Sequence, residues 1–467
     1  MNDTTLDSAR SQAGLTLSHR LAQHAVTTDY DAIPKAALDA ARLFMLDTLA
    51  VAWAGSDAPG CREAHALMVD EGGRADSTVW SHGGRLPAAA AAFVNSMAAS
   101  ALDYDSIGRA AAVHVNIAVL PAALAIAERE RSSGKAFLAA LTIGADVMYR
   151  IGSAAKSPNR GFHYTGAFGG FGAAAAAAHL LGLDADTAGH ALGIAFMQAS
   201  GTQQANIEPS LSKRMLSAFA ARAGVYAALL AQRGVTAPRE VFEGRFGLYA
   251  LYQEGDPVQL LAELGKRFDN LHFAIKLYPS CGCNHTTIDG MLDLVQRHDL
   301  APDDVLSVEV TVPPYVDSLV GGAYDPSGDA QVAAQFNIRY TVACVLVRRR
   351  LGLAEISERV ARDPEIARHI GKVSVKVDAT QTRNRGPIVI RMQTRSHGEL
   401  TTRVEDVRGG PASPISEADA EAKFTECFGL GVRPLSDAQR KTLAQRVREI
   451  EKVEDMSTFF DGIVGER

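Results

Sequence analysis

The sequence predicts a mainly α-helical fold: a large all-helical domain, a smaller α+β domain inserted after it, and C-terminal helices that complete the first domain. Three observations predict this. Apolar residues recur at spacings of three and four through the first part of the chain, several later segments alternate apolar with polar residues, and helical spacing resumes near the C-terminus. The all-helical domain is predicted to comprise residues 1–268 and 411–467, and the α+β domain residues 269–410.

The N-terminal helices are predicted between residue 15 and about residue 265, where no strand pattern competes. The first clear helix covers residues 33–48, with Pro34 in its first turn, where the missing N–H costs little. Several of the other helices end at a glycine, as helix C-termini commonly do. These further helices are predicted at residues 86–97, 119–130, 135–151, 170–181, 185–200 and 211–233.

The α+β domain begins near Phe273, where alternation with a period of two replaces the helical spacing. Strands are predicted at residues 305–312, 373–378, 387–394 and 399–405, the last two as a β-hairpin. Helices are predicted between the strands at residues 286–298, 330–351 and 356–361. After the Gly409-Gly410-Pro411 turn, two helices that each open with a serine suited to N-capping are predicted at residues 416–428 and 436–451.

The composition excludes several classes of protein. Only 6% of the 467 residues are aromatic, and long runs of alanine and glycine predict helices that pack closely. The most apolar stretch, residues 167–183, is mostly alanine and glycine and is interrupted by His179, so no membrane span is predicted. The N-terminus lacks the pattern of a signal peptide. A net charge of −6 without a basic stripe argues against nucleic-acid binding, and five cysteines form no disulfide framework, so we expect a cytoplasmic protein.

The first candidate cluster is Asp103-Tyr104-Asp105, with His114 nine residues after Asp105. Two acids and a histidine before a buried helix are suited to holding or orienting a general acid or base. The spacing alone favours a simpler interpretation, in which an aspartate is a helix N-cap and the histidine is an ordinary loop residue.

The second cluster is His163 and Thr165, at the start of the glycine- and alanine-rich helix. A helix start offers N–H groups and a positive dipole end, where a substrate carboxylate can bind. The glycines at residues 169–172 do not match a dinucleotide-binding fingerprint, and no strand precedes them, so they predict close helix packing instead.

Two cations, Lys213 and Arg214, form the third cluster on the first turn of a long helix. Cations at a helix N-terminus oppose the helix dipole unless an anion is bound there. The pair therefore indicates a site that binds a carboxylate. The alternative is that both side chains point into solvent and bind nothing.

The fourth cluster runs from Lys276 through Tyr278, Cys281 and Cys283 to His285. Zinc normally takes four ligands, and the sequence contains no second cysteine–histidine cluster to complete such a site. No metal is predicted, and His285 at the domain boundary is better suited to acid–base chemistry.

These clusters, in this order and in this helical frame, resemble the MmgE/PrpD family, which includes 2-methylcitrate dehydratase, cis-aconitate decarboxylase and iminodisuccinate epimerase. The resemblance covers nearly the whole chain. It is carried by the segments Leu-Asp-Thr-Leu-Ala at 46–50, Ala-Ala-Phe-Val-Asn through Leu-Asp-Tyr-Asp at 91–105, Glu-Gly-Arg-Phe-Gly at 243–247, and Lys-Leu-Tyr-Pro-Ser-Cys at 276–281 followed by His285.

The resemblance implies a homodimer that uses neither metal nor organic cofactor, with its active site in a cleft between the two domains. It implies a small di- or tricarboxylate as substrate. The residues that match the family's catalytic positions are Asp103 or Asp105, His114, His163, Lys213, His285 and Tyr340.

The chain departs from the family pattern at three places. Residues 114–116 read His-Val-Asn where many members have His-Pro-Ser, and residues 107–112 lack the polar loop that usually precedes this histidine. Leu216 stands where a histidine commonly follows the family lysine. The architecture is unaffected, while the particular substrate and reaction stay open.

The chemistry predicted is removal of a proton from a carbon next to a carboxylate. We expect His114 and His163 to act as base and acid, and Lys213 to bind a carboxylate. The residues expected to contact the substrate are Arg214, Thr165, Tyr278 and Cys281. Loss of water, as in a dehydratase, is the predicted reaction; the alternatives are an isomerase or epimerase, a decarboxylase, and a non-catalytic dimeric carboxylate-binding protein.

Overall fold

A computed structural model describes residues 15–108, 111–156, 159–382, 385–410 and 413–465. The N-terminal tail, Pro411 of the predicted interdomain turn, and residues 109 and 110 of the loop before His114 lie outside these ranges. The helices of the first part of the chain are α1 (Leu17–Thr27), α2 (Lys35–Gly55), α3 (Cys61–Glu71), α4 (Ala88–Ala101), α5 (Asn116–Arg129), α6 (Gly134–Ala154), α7 (Tyr164–Leu180), α8 (Ala185–Met197), α9 (Gln204–Ile207), α10 (Met215–Gln232), α11 (Leu248–Leu251) and α12 (Pro257–Leu261).

Helix α7 lies at the centre of this bundle, in contact with α5, α6, α8 and α10. Its small residues allow the close approach. A Cβ atom added at Gly172 would lie 2.7 Å from the backbone oxygen of Gly144 on α6, and one added at Gly224 on α10 would lie 2.3 Å from the Cβ of Ala173. The alanine- and glycine-rich composition therefore reflects helices packed backbone to backbone.

Two short antiparallel strand pairs correct the expectation that this region contains no strands. Strand β1 (Ser77–Thr78) pairs with β2 (Arg85–Leu86), and β3 (Ile107–Gly108) pairs with β4 (Phe273–Ala274). Pairs of two residues are too short to show a period of two in the sequence. The second pair matters for the site, because it joins the segment before His114 to the segment before Lys276.

The α+β part contains a four-stranded sheet in the order β6-β5-β7-β8. Strands β5 and β6 are parallel, and the other two neighbouring pairs are antiparallel. The strands are β5 (Val305–Val312), β6 (Val373–Val377), β7 (Ile388–Thr394) and β8 (Gly398–Val404). The predicted positions of all four strands, including the hairpin, match these bounds closely.

The helices of the α+β part are α13 (His285–Arg297), α14 (Pro314–Val320), α15 (Ala330–Gln335), α16 (Ile338–Arg348), α17 (Glu358–Ala361) and α18 (Pro364–Ile370). The single helix predicted at residues 330–351 is wrong, because the chain breaks at Asn337. The side-chain oxygen of Asn337 accepts a hydrogen bond from the backbone N–H of Tyr340 at 3.0 Å and caps a new helix.

The C-terminal helices are α19 (Glu417–Phe428) and α20 (Asp437–Arg448). Ser416 and Ser436 cap their N-termini, as predicted, and Ser436 forms a capping box with Gln439. Helix α19 packs on α2, where the rings of Trp53 and Phe428 meet edge to face at 5.6 Å. The mainly helical fold class with a small sheet region is confirmed.

Among the described residues, one helical segment, Leu211–Gln232, is long and apolar enough to cross a membrane by length and composition. Core helices of soluble proteins pass the same test. This helix packs against α4, α7 and α8 inside the bundle, which accounts for the apolar residues of its buried face.

Candidate active site

Asp103 lies at the centre of the site, in the turn that follows α4, with a φ of 49°. Its side chain is buried and is paired with two lysines from distant parts of the chain. Lys213 binds Oδ1, and the Nζ of Lys276 lies 2.7 Å from Oδ2 and also 2.7 Å from the backbone oxygen of Asp103. Burial alone would raise the pKa of Asp103, but the two ammonium groups outweigh it and hold that pKa well below its usual range.

Asp105 orients His114. Its Oδ2 lies 2.8 Å from His114 Nδ1, and the backbone N–H of His114 donates to the hydroxyl of Thr165 on α7 at 2.9 Å. Burial opposes the charged carboxylate, but His114 and Lys276 together lower the pKa of Asp105. Because an ionised carboxylate only accepts, Nδ1 of His114 carries the proton, and Nε2 is left as an acceptor.

His163 is the N-cap residue of α7. Its Nδ1 accepts a hydrogen bond from the backbone N–H of Gly166 at 3.4 Å. Its ring is nearly parallel to that of His114, with 6.5 Å between the ring centroids and 24° between the planes. Burial, reinforced by Lys213 and His114, lowers the pKa of His163 to about 3.

The two facing histidines are therefore neutral but have opposite tautomers. Burial also lowers the pKa of His114, although Asp105 acts in the other direction. His114 presents an Nε2 lone pair that can take a proton, whereas His163, with Nδ1 as acceptor, presents an Nε2–H that can donate a hydrogen bond. One ring is suited to act as a base and the other as a neutral donor.

Residues from the α+β part lie beside Lys276, at the edge of the site. His285 is buried with its Nε2 3.2 Å from the backbone oxygen of Ser280, and the ring of Tyr278 meets it edge to face at 5.2 Å. Burial and the charge of Lys276 lower the pKa of His285 to about 3. The backbone N–H of Cys281 donates to Gln335 at 2.9 Å, and a hydrogen bond from the neighbouring Cys283 lowers the pKa of the Cys281 thiol.

Three of the expected site residues have their polar groups engaged elsewhere. Arg214 donates to the backbone oxygen of Pro59 at 2.6 Å and to Gln331 at 3.2 Å, so it holds protein elements together. The Tyr278 hydroxyl lies between Asp289, at 2.6 Å, and Arg408, at 2.7 Å.

Tyr340 is the third of them and lies in the interior of the α+β part. Its hydroxyl donates to the backbone oxygen of Glu355, and its ring stacks on Tyr324 at 5.1 Å. The family position at Tyr340 thus contacts the helices around it and not the histidine pair.

Two contributors were missed from the sequence. The sequence predicted no separate role for Lys276, the first residue of the fourth cluster. In the structure its ammonium group is the second cation bound to Asp103. Phe336 lies with its ring 5.0 Å from the ammonium of Lys213. The position of Lys276 in an otherwise apolar segment could have predicted a buried, paired lysine. The residues around Phe336 contain no pattern that predicts its contact with Lys213.

A cavity of about 470 Å³ lies beyond Phe336. Its walls come from both parts of the chain, namely residues 206–209 on one side and residues from 317 to 337 on the other. Phe336 lines this cavity and its ring also contacts Lys213, so the cavity is a neighbour of the buried charges, although those charged side chains do not line it.

Asp103, Asp105 and His114 also present ligand atoms within 4.8 Å of one another, which is a spacing suited to a metal ion. Both carboxylate oxygens of Asp103 already bind ammonium groups, and a divalent cation there would face the charges of Lys213 and Lys276 at short range. The donor set is therefore better matched to proton transfer than to metal binding.

Comparison with known proteins identifies the family of the chain. A family model of the MmgE/PrpD N-terminal domain matches residues 19–261, and one of the MmgE/PrpD C-terminal domain matches residues 278–450. The chain is a member of a class of carboxylate-acting enzymes that includes dehydratases and decarboxylases. It belongs to the MmgE/PrpD family.

Curated relatives are named after a decarboxylase. A cis-aconitate decarboxylase-like protein of Aspergillus oryzae is 33% identical over 284 residues, which are 57% of this chain and 58% of that protein. The cis-aconitate decarboxylase of Aspergillus terreus is 29% identical over 76% of each chain. The human cis-aconitate decarboxylase is 27% identical over 431 residues, 89% of this chain and 88% of that protein.

Proposed function

We propose that this chain is a cofactor-independent lyase that removes a proton from the carbon next to a carboxylate of a small di- or tricarboxylate and expels water. The observation that carries the proposal is the facing pair of histidine rings, 6.5 Å apart between centroids, with Asp105 at Nδ1 of His114 and the N–H of Gly166 at Nδ1 of His163. A base and a hydrogen-bond donor facing one another are what an elimination next to a carboxylate requires.

In this reaction His114 Nε2 takes the proton from the carbon, and Asp105 stabilises the imidazolium that forms. The charge that builds up on the substrate carboxylate is stabilised by Lys213 and by the Nε2–H of His163. The imidazolium of His114 then gives the proton to the departing hydroxyl, so that water leaves and an alkene remains. This assigns His163 the role of a neutral donor rather than that of a charged acid.

Decarboxylation is the second candidate, and the names of the relatives favour it. In that reaction carbon dioxide leaves and a proton must be delivered to the carbon, so the reaction starts from a protonated histidine. The lowered pKa of both His114 and His163 leaves them neutral near pH 7 before substrate binds, which favours elimination.

A panel of 2-methylcitrate, citrate and cis-aconitate, incubated with the enzyme in deuterated water and followed by NMR, tests the proposal. A new alkene without loss of carbon dioxide supports a dehydratase, whereas loss of carbon dioxide with deuterium at carbon identifies a decarboxylase. Deuterium exchange alone indicates an isomerase or epimerase.

His163→Ala and Lys213→Ala are the matched variants for this experiment, and each should lower turnover roughly 10²–10⁴-fold. Near-wild-type turnover in both would contradict the site assignment. Thermal stabilisation by polycarboxylates without turnover or exchange would overturn the enzymatic proposal in favour of a binding protein.

The proposal includes a homodimer formed through an exposed face of α10. Phe219, Tyr226 and Leu230 follow one another at spacings of seven and four, so they share one side of the helix, and all three are exposed. Met197 at the end of the neighbouring α8 is 60% exposed and extends the patch. A second copy of the chain, related by a two-fold axis, would cover the same apolar face on both subunits.

A further inference from the structure

Another buried ion pair lies next to the site and is not part of the proposed chemistry. Lys423, on α19, has its Nζ 2.6 Å from Oδ1 of Asp47 on α2. Both side chains are buried, with exposed fractions of 3% and 0%. The pair connects a C-terminal helix with an N-terminal helix that is distant in sequence.

The Lys423 ammonium also binds two backbone oxygens of the site. Its Nζ lies 2.8 Å from the oxygen of Tyr104 and 3.0 Å from the oxygen of Lys276, and it lies over the Tyr104 ring, 4.1 Å from the centroid. An ammonium group has three donors, and each one is directed at a different segment of the chain. Lys423 thus joins α2, the Asp103–Asp105 turn and the Lys276 segment at one point.

These two backbone oxygens belong to residues that set the geometry of the base. Tyr104 lies between Asp103, which binds both lysines, and Asp105, which orients His114. The turn is irregular, with a positive φ at Asp103, so no helix or strand ladder fixes it. The position of the Asp105 carboxylate therefore depends on side-chain tethers such as Lys423.

Stability alone does not account for a pair of this kind. Taking two charges out of water costs as much as their attraction returns, and an apolar pair of similar volume is often neutral or more stable. Burial raises the pKa of Asp47, although Lys423 acts in the opposite direction.

We propose that Asp47 and Lys423 are positioning residues that hold the Asp103–Asp105 turn and Lys276 in the arrangement that lets Asp105 orient His114. The inference rests on the proposed function of His114 as the base. Neither Asp47 nor Lys423 touches the substrate in this proposal; they act through the backbone of Tyr104 and Lys276.

The test compares wild type with Lys423→Met and with the double variant Asp47→Leu/Lys423→Met. The single variant leaves a buried carboxylate without its partner and risks misfolding, whereas the double variant removes both charges and is expected to fold. In the folded double variant, we expect kcat to fall about 10–100-fold with little change in KM, because misplacing a catalytic group by about 1 Å costs up to ~10²-fold.

The Asp146–Arg150 pair provides the matched control. Arg150 Nε lies 2.7 Å from Asp146, both side chains are fully buried, and the guanidinium also donates to the backbone oxygens of Ala262 and Arg267 at 2.6 Å. The double variant Asp146→Leu/Arg150→Met removes a similar tether away from His114 and His163, although it also removes the carboxylate 3.2 Å from the Nε2 of His24. It should change the melting temperature without changing kcat or the pH profile.

A second measurement does not need turnover. NMR of histidine-labelled protein reports the hydrogen-bonded Nδ1–H of His114 and its titration, and both should change in the Asp47→Leu/Lys423→Met protein but not in the control. A folded double variant with a wild-type His114 signal and wild-type kcat overturns the inference. If wild type turns over no carboxylate, the proposed function fails, while the His114 signal still decides whether the pair positions the turn.

Discussion

At the scale of the residue, Asp105 decides which nitrogen of His114 can accept a proton. Its carboxylate, 2.8 Å from Nδ1, holds the proton on that nitrogen and leaves Nε2 as the acceptor. At His163 the backbone N–H of Gly166 has the opposite effect. It donates a hydrogen bond to Nδ1, so the ring proton lies on Nε2. Two residues of the same type thereby acquire different roles from single hydrogen bonds.

Asp105→Asn tests this assignment through the pH dependence of kcat/KM. The base works when neutral, so activity falls as the pH drops through the pKa of His114, which burial places below the ordinary histidine value. We expect the wild-type profile to stay flat from neutral pH to below about 6.5. The amide removes the charge that raises this pKa, so the acid limb should move to lower pH while the plateau falls roughly 10²–10⁴-fold.

The surface pair His19–Asp186, 3.3 Å apart, supplies a control for Asp105→Asn. Asp186→Asn also removes a carboxylate from a histidine, but it does so on an exposed helix start, and both the plateau and the acid limb should stay as in wild type. An acid limb that moves to higher pH in Asp105→Asn would contradict the orientation proposed for His114.

At the scale of the element, α7 serves both packing and chemistry. Its N-terminus carries His163 and Thr165, which contact the site, and its body is mostly glycine and alanine buried against four other helices. The close packing fixes the position of the helix start, because a bundle with backbones in contact leaves little room for a shift. Rigidity at the helix start is what a histidine donor at that place requires.

Gly172→Ala is expected to destabilise the protein although alanine is the better helix former. The added methyl would meet the backbone oxygen of Gly144 at 2.7 Å and the Cβ of Met148 at 2.7 Å. Overpacking of this kind costs about 1–3 kcal/mol, against about 1 kcal/mol gained in helix propensity. Denaturant unfolding measures the net loss.

Gly189→Ala, on α8, is the matched control, since nothing lies within 4 Å of the position of its added Cβ. It should raise the unfolding free energy by about 0.5–1 kcal/mol. Equal effects of the two substitutions would show that contact between α6 and α7 does not determine the choice of glycine at 172.

At the scale of the whole molecule, the site exists only where distant segments meet. Asp103 comes from the turn after α4, Lys213 from the 3-10 turn Leu211–Arg214 just before α10, and Lys276 from the segment that enters the α+β part. The C-terminal helix α19 then returns to contribute Lys423 behind them. A chain lacking its C-terminal helices would lose a tether of the site as well as a helix.

The homodimer is a prediction at this same scale. Tyr226→Asp/Leu230→Asp places two charges on the exposed face of α10, and burying them against a second copy would be costly. We expect the wild-type protein to be a dimer and this variant a monomer in light scattering after size-exclusion chromatography. Val258→Asp, at a residue that is 81% exposed on α12, is the control and should leave the dimer intact. A variant that remains dimeric would place the interface on another surface.

The sequence by itself determined the classes of structure and the residues from which the site is built. Helical spacing, the alternation in β5 and the serine caps of α19 and α20 are local patterns, and local hydrogen bonds and side-chain periodicity produce the elements directly. The clusters around Asp103, His163, Lys213 and His285 were visible for the same reason, since charged or titratable side chains stand out in apolar surroundings.

Only the tertiary structure decided which of these residues act together. The salt bridges of Asp103 join positions 110 and 173 residues apart, and no local pattern encodes such a contact. Arg214 was expected to contact the substrate, and the family resemblance implied a site role for Tyr340, yet the fold binds both to backbone carbonyl groups. The tautomers of His114 and His163 follow from hydrogen bonds to groups only nine and three residues away along the chain. The tertiary structure decided that the two rings face one another, because the packing of α7 beside the segment that carries His114 brings together positions about 50 residues apart.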